Sequence, residues 1–147
     1  MRCLVDTNVL LRFANRRDPY HALMRTAIQR LRQAGRQLCI TPQNCVEFWN
    51  VATRPASRNG FGLTPNDSDR MLRLLERLFP ALPEQPATYA EWRQIVVQFN
   101  VAGVQVHDAR LIAAMRVHTA SHILTVNTAD FARYASLGIT AIDPATV

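Results

Sequence analysis

"RCLVDTNVLLRF", residues 2–13, decides the fold. Cys3, Leu4 and Val5 form an apolar run too short for a helix and suited to a buried strand, and the run ends in Asp6, a side chain almost never fully buried without a partner. Asp6, Thr7 and Asn8 are all residue types that cap helix N-termini, and Leu10, Leu11 and Phe13 carry an apolar face onward. The stretch therefore predicts a strand over residues 2 to 6 that turns directly into a helix. Asp6 then stands at the carboxyl end of the strand, the edge where open α/β sheets bind ligands.

The same alternation continues along the chain. Residues 19 to 34 predict a second helix, with Pro19 near its start and Gly35 as its stop. Leu38-Cys39-Ile40 predicts a short buried strand, and Thr41-Pro42, a capping residue followed by proline at the first helical position, opens a third helix that runs to about Thr53. "RPASRNGFG", residues 54–62, is a loop by its Pro and Gly content. A helix capped near Thr64 or Asp67 runs to about Leu78, Ala81 to Pro83 predicts a brief strand, and residues 88 to 99 predict a helix. Val104 to Val106 leads into an alanine-rich helix from about His107 to His118. A strand over His122 to Val126, a short helix opened by Asn127 and a strand over Ile139 to Ile142 complete the chain. Strands alternating with helices imply a single α/β domain over residues 1–147, three layers deep, with a parallel sheet of about five strands covered on both faces.

Composition narrows the chemistry. All 17 basic residues are arginine, set against 11 acids, for a net charge of +6. Without lysine there is no P-loop lysine, no Schiff base and no lysine to steady an aspartyl-phosphate. Arginine remains well suited to phosphate, and the basic balance favours an anionic partner such as nucleic acid. Three cysteines with no C-x-x-C pair read as core thiols of a reducing compartment, and His118 and His122 have no acid between them to suggest a zinc helix. No apolar run approaches the ~20 residues of a membrane span. Asp6 interrupts the first apolar stretch too early for a secretory signal, so the expected location is the cytoplasm with no membrane partner.

Four acids lie where strands give way to helices, or on such helices: Asp6, Glu47, Asp108 and Asp130. Each has a local explanation. Asp6 caps a helix, Asp108 complements a helix dipole, Asn127 with Asp130 resembles a capping box, and Glu47 shares a polar face with Gln43, Asn50 and Arg54. A parallel sheet nevertheless brings these positions to one rim, where four carboxylates raise one another's pKa values unless a cation sits among them. An oxygen-only donor set selects Mg²⁺ or Mn²⁺ over zinc, and such an ion supports phosphodiester hydrolysis without a lysine or histidine base.

In order along the chain, "LVDTNVLL" around Asp6, "TPQNCVEFWNVATRP" around Glu47, "VHDARLIAAM" around Asp108 and "ILTVNTADF" ending in Asp130 resemble the PIN-domain family. Within it they are similar to the VapC-type ribonuclease toxins of bacterial toxin-antitoxin pairs. The resemblance spans Arg2 to about Asp143. It implies a metal-dependent endoribonuclease whose Mg²⁺ (or Mn²⁺) is held by Asp6 and Asp108, with Glu47 binding the ion or orienting water. Thr7 and Asn8 support these by hydrogen bonding. Asp130 completes the site by the same resemblance; many relatives carry an acid two residues after the strand threonine, where this chain has Asn127. It further implies an RNA substrate, a cognate antitoxin and a homodimer. Arg54 and Arg58, in and beside the loop after the Glu47 helix, are placed to reach RNA at the rim, or else to close the helix and meet solvent.

Two other functions compete. A phosphatase using Asp6 as nucleophile wants an acid two residues on, where Asn8 stands, and a balancing lysine. A non-catalytic basic RNA-binding module would use the acids only as caps and ignore divalent ions.

Overall fold

The computed structural model describes residues 1–147. Four parallel strands, β1 (Arg2–Val5), β2 (Gln37–Cys39), β3 (His122–Leu124) and β4 (Thr140–Ile142), form one sheet in the order β2-β1-β3-β4. Strand β1 is central, and its Cys3, Leu4 and Val5 are fully buried. Successive strand residues point to opposite faces. Cys3 and Val5 accordingly join one apolar cluster with Met24, Ile28, Phe48 and Phe79, whereas Leu4 joins a second with Ile95, Ile112, Met115 and Tyr134.

Those clusters are the two helical layers. On the first face pack α1 (Thr7–Ala14), α2 (His21–Gln33), α3 (Pro42–Thr53) and α4 (Pro65–Leu78); on the second pack α5 (Ala87–Gln98), α6 (Val106–Val117) and α7 (Thr128–Phe131). The three-layer arrangement expected from the sequence is therefore present. No helix is long and apolar enough to cross a membrane.

Local signals explain the element ends. Asp6 caps α1 by accepting from the Thr7 backbone N–H, and Thr64 caps α4 by accepting from Asp67 N–H. Thr41 and Asn44 form a reciprocal capping box around Pro42 at the start of α3. Beyond α2, Gly35 adopts a φ of +81°, the left-handed conformation that ends a helix cheaply only at glycine. After α3 the loop doubles back so tightly that a Cβ on Gly60 would lie 1.9 Å from the Arg54 carbonyl oxygen, a space only glycine fits.

Two expectations are corrected. The fifth strand, over Ala81 to Pro83, is reduced to one parallel bridge between Ile40 and Ala81. Ile40 N–H donates to Pro80 O and Leu82 N–H to Ile40 O, but Pro80 and Pro83 have no N–H with which to extend the ladder. The capping box at Asn127 does not form either: the Asn127 side chain makes no cap bond to α7. Its own backbone N–H instead donates to Thr125 Oγ1, which fixes the turn leaving β3.

Candidate metal centre

Chain connectivity reverses direction beside β1. From β1 the chain crosses to β2 on one side and later returns to β3 on the other, so the crevice between the ends of β1 and β3 is the switch point where such sheets take ligands. Asp6 and Thr125 are the first residues beyond those two strands. Backbone bonds from Asp6 N–H to Leu124 O and from Thr125 N–H to Ile142 O continue the ladder through both. Across the crevice Thr125 Oγ1 donates to Asp6 Oδ2 at 2.7 Å, and Asn8 Nδ2 donates to the same oxygen at 3.1 Å. The other carboxylate oxygen accepts from Thr7 N–H at 2.8 Å. Asp6 is 6% exposed, and its capping role and its place at the crevice coexist.

The side of α3 that meets this crevice carries Glu47. Thr7 Oγ1 donates to Glu47 Oε2 at 2.7 Å, and Gln43, one turn earlier, donates to Oε1 at 2.9 Å. Thr7 is itself held by Asn44, whose Nδ2 donates to Thr7 Oγ1 at 3.1 Å. Asn44 is fully buried, and its Oδ1 accepts from both the backbone N–H and the hydroxyl of Thr41. Glu47 is thus fixed at both oxygens.

Asp108 lies in the first turn of α6 and is half-buried, and Asp130, in α7, is exposed. Asn8 also accepts from Val126 N–H. Asn127 meets the crevice only through its backbone N–H to Thr125 Oγ1. Arg54 closes α3 through its N–H to Val51 O, with a half-buried side chain whose Nε has no hydrogen-bond partner, and Arg58 is exposed on the turn that follows. Among the aromatics, Phe48 is fully buried and Trp92 donates to Val106 O, so these rings pack and tether helices.

Electrostatics ties the acids together. Burial, opposed by the bonds from Thr125 and Thr7 and reinforced by the charges of Asp108 and Glu47, pushes the Asp6 carboxyl up to about 6. The Asp108 carboxyl is also raised, first by burial and then by Asp130 and Glu47, with His107 acting in the opposite sense. Asp6 thus feels the charges of Asp108 and Glu47, and Asp108 those of Glu47 and Asp130. The packing is looser than the sequence suggests, because no three acidic, histidine or cysteine side chains converge into a ready cage for an ion. Glu47 is turned onto Thr7 and Gln43, and Asp130 faces outward. The donor set still fits a hard divalent cation: it is all oxygen and anionic, and two of its members, Asp6 and Glu47, are held by hydrogen bonds from the protein.

A family model of the PIN domain matches residues 3–137. The chain belongs to that family. Its fold is shared with the DNA-bound VapBC of Salmonella typhimurium (TM-score 0.71, 16% identity, 98% of each chain covered). It is also shared with VapBC-1 of nontypeable Haemophilus influenzae (0.70, 15%, 98% of each). A third similar structure is Mycobacterium tuberculosis VapC20, a Sarcin-Ricin loop cleaving toxin (0.62, 13%, 94% of this chain and 96% of that one). No curated protein matches the sequence significantly.

Within this PIN domain, three crevice residues escape a reading of the sequence for acids. Thr125 is signalled only by a polar residue directly after an apolar strand run. Asn44 is signalled by Thr41-x-x-Asn44, a capping-box spacing with asparagine in place of the usual Glu or Gln. Arg110 follows Asp108 by two residues and carries no motif of its own. Its partners, Gln43 and Glu84, become visible only when α3, α6 and the segment before α5 are assembled.

Proposed function

We propose that this PIN domain is a metal-dependent endoribonuclease, the toxin of a toxin-antitoxin pair. The observation that carries the reading is the buried Asp6 at the β1/β3 switch point, bonded through both oxygens and facing the charges of Glu47 and Asp108. Asp6, Asp108 and Glu47 would hold Mg²⁺ or Mn²⁺, with Asp130 at the outer side. When bound, such an ion supplies polarisation of a phosphoryl oxygen and a more acidic water. The protein's part is to hold the carboxylates in place: Thr125, Asn8 and the Thr7 N–H fix Asp6, and Thr7 and Gln43 fix Glu47. The surplus of arginine over acid suits a polyanion, and the fold relationship to a toxin that cleaves the Sarcin-Ricin loop supports RNA as that polyanion.

The fold relationship to VapBC complexes supports an antitoxin as partner. A groove of about 1220 Å³ between α1, α2 and α4 is apolar through Phe13, Ile28, Met71 and Leu74, and its charged lining is arginine without any acid. It suits an amphipathic acidic segment of that partner. Exposed Tyr89 and Val97 on α5 give apolar surface for a homodimer. A phosphatase mechanism fits less well, since Asn8 stands where the second acid would be and no lysine is present.

The test is cleavage of structured RNA by purified protein with Mg²⁺ or Mn²⁺, with chelator, and with Asp108→Asn. Activity is expected only with the ion and the intact acid. Cleavage that persists under chelation or in the variant contradicts the reading.

A further inference from the structure

The Gln43 bond to Glu47 is one link of a longer polar chain that begins at Arg110. Arg110 Nη1 donates to Gln43 Oε1 at 3.0 Å, and its Nη2 donates to Glu84 Oε2 at 2.9 Å. Gln43 Nε2 donates to Glu47 Oε1 at 2.9 Å and to the His107 carbonyl at 2.8 Å. The amide is therefore fully committed. Its oxygen must face the guanidinium, which has no acceptor, so both its hydrogens are left for the carboxylate and the carbonyl. Gln43 ties Glu47 on α3 to the residue just before Asp108 on α6, and Arg110, on the same helix as Asp108, dictates which way the amide points.

We propose that Arg110 is a positioning residue that acts on Glu47 through Gln43, setting the Glu47 carboxylate against Asp108. Glu84 steadies the far arm of the guanidinium. The role needs a planar fork that serves two acceptors at once, a task lysine performs poorly. The bland alternatives are a surface ion pair of Arg110 with Glu84, of little consequence, or a direct contact of Arg110 with RNA phosphate. This inference rests on the divalent-ion reading of the site for its functional consequence, but the geometry it claims exists without the ion.

Two measurements test it. In the metal-free protein, the side-chain NH₂ pair of Gln43, assigned by its loss in Gln43→Ala, is expected to be shifted and slow to exchange, and to relax toward a free amide in Arg110→Met and Arg110→Lys. In Mn²⁺ titrations, Gln43→Ala and Arg110→Met are each expected to weaken binding about 10- to 100-fold, as loss of a ligand's hydrogen-bond partner typically does, with thermal midpoints near wild type. Arg110→Met added to Gln43→Ala should bring no further loss. An unchanged amide pair in Arg110→Met overturns the relay. So does additive loss in the double variant, or a rise in KM for RNA with Mn²⁺ affinity intact. Wild-type protein that keeps the perturbed amide pair yet binds no Mn²⁺ supports the relay geometry and overturns the ion reading.

Discussion

Asp6→Asn is expected to remove RNA cleavage, by about 10³-fold or more, and to leave a metal-free protein more stable than wild type above pH 7. The first effect would follow from losing an anionic ligand of the proposed ion, since several kcal/mol of transition-state stabilisation amounts to orders of magnitude in rate. The second follows from linkage. With its carboxyl raised from 3.8 to about 6, Asp6 binds its proton more tightly in the folded state than in the unfolded one. Its favourable contribution is complete below the unfolded value and is lost as pH rises through about 6. Above that, the ionised carboxylate costs the metal-free fold about 3 kcal/mol. Asparagine escapes this cost but sets its amide against the Asn8 amide, which gives back about 1–2 kcal/mol. The variant's thermal midpoint should therefore exceed that of wild type by a few degrees at pH 8, and the gap should close or invert as pH falls toward 4.5. A gap that does not vary with pH would falsify the electrostatic account of Asp6.

Asn44→Leu is expected to destabilise the protein by about 3 kcal/mol, with two separable consequences. Leucine matches the volume of asparagine only approximately, and it leaves the Thr41 backbone N–H and hydroxyl without their acceptor inside the protein. Each such buried group costs about 1–3 kcal/mol when unpaired. Thr7 also loses the donor that orients its hydroxyl, and with it Glu47 loses the alignment of one oxygen. Chemical denaturation should show the lower midpoint, and assays below that midpoint should show weaker Mn²⁺ dependence of cleavage in the protein that remains folded. Asn44→Asp, which keeps the acceptor and loses the donor to Thr7, should preserve most of the capping while adding an acid beside Glu47. Near-wild-type stability in Asn44→Leu would show that α3 does not depend on this buried amide.

These predictions draw on features that were not equally legible in the sequence. Asp6 was: an apolar strand run that ends in a capping acid specifies both the βα junction and the edge it occupies. The helix opening at Thr41-Pro42 was legible too, and that of α4 was narrowed to Thr64 or Asp67, because capping chemistry is local. The supposed strand at Ala81 to Pro83 was not reliable, since its apolar character is real but its prolines withhold the N–H groups that pairing needs. Asn127 and Asp130 had the spacing of a cap, yet the bond that matters there runs from the Asn127 backbone to Thr125. Least legible were the bonds between distant segments. Thr125 to Asp6, Asn44 to Thr7 and Arg110 to Gln43 each join residues whose nearness is created by the sheet order and helix packing. Acids announce themselves by type, whereas the neutral groups that hold them do so only once the layers are assembled.

In the proposed site, acids far apart in the chain share one divalent ion. Isothermal titration of Mn²⁺ into wild type, Asp6→Asn and Asp108→Asn tests it most directly. The account predicts saturable binding to wild type that is lost or weakened at least about 100-fold in each variant, because both carboxylates serve the same ion. The same isotherm from all three proteins would contradict it.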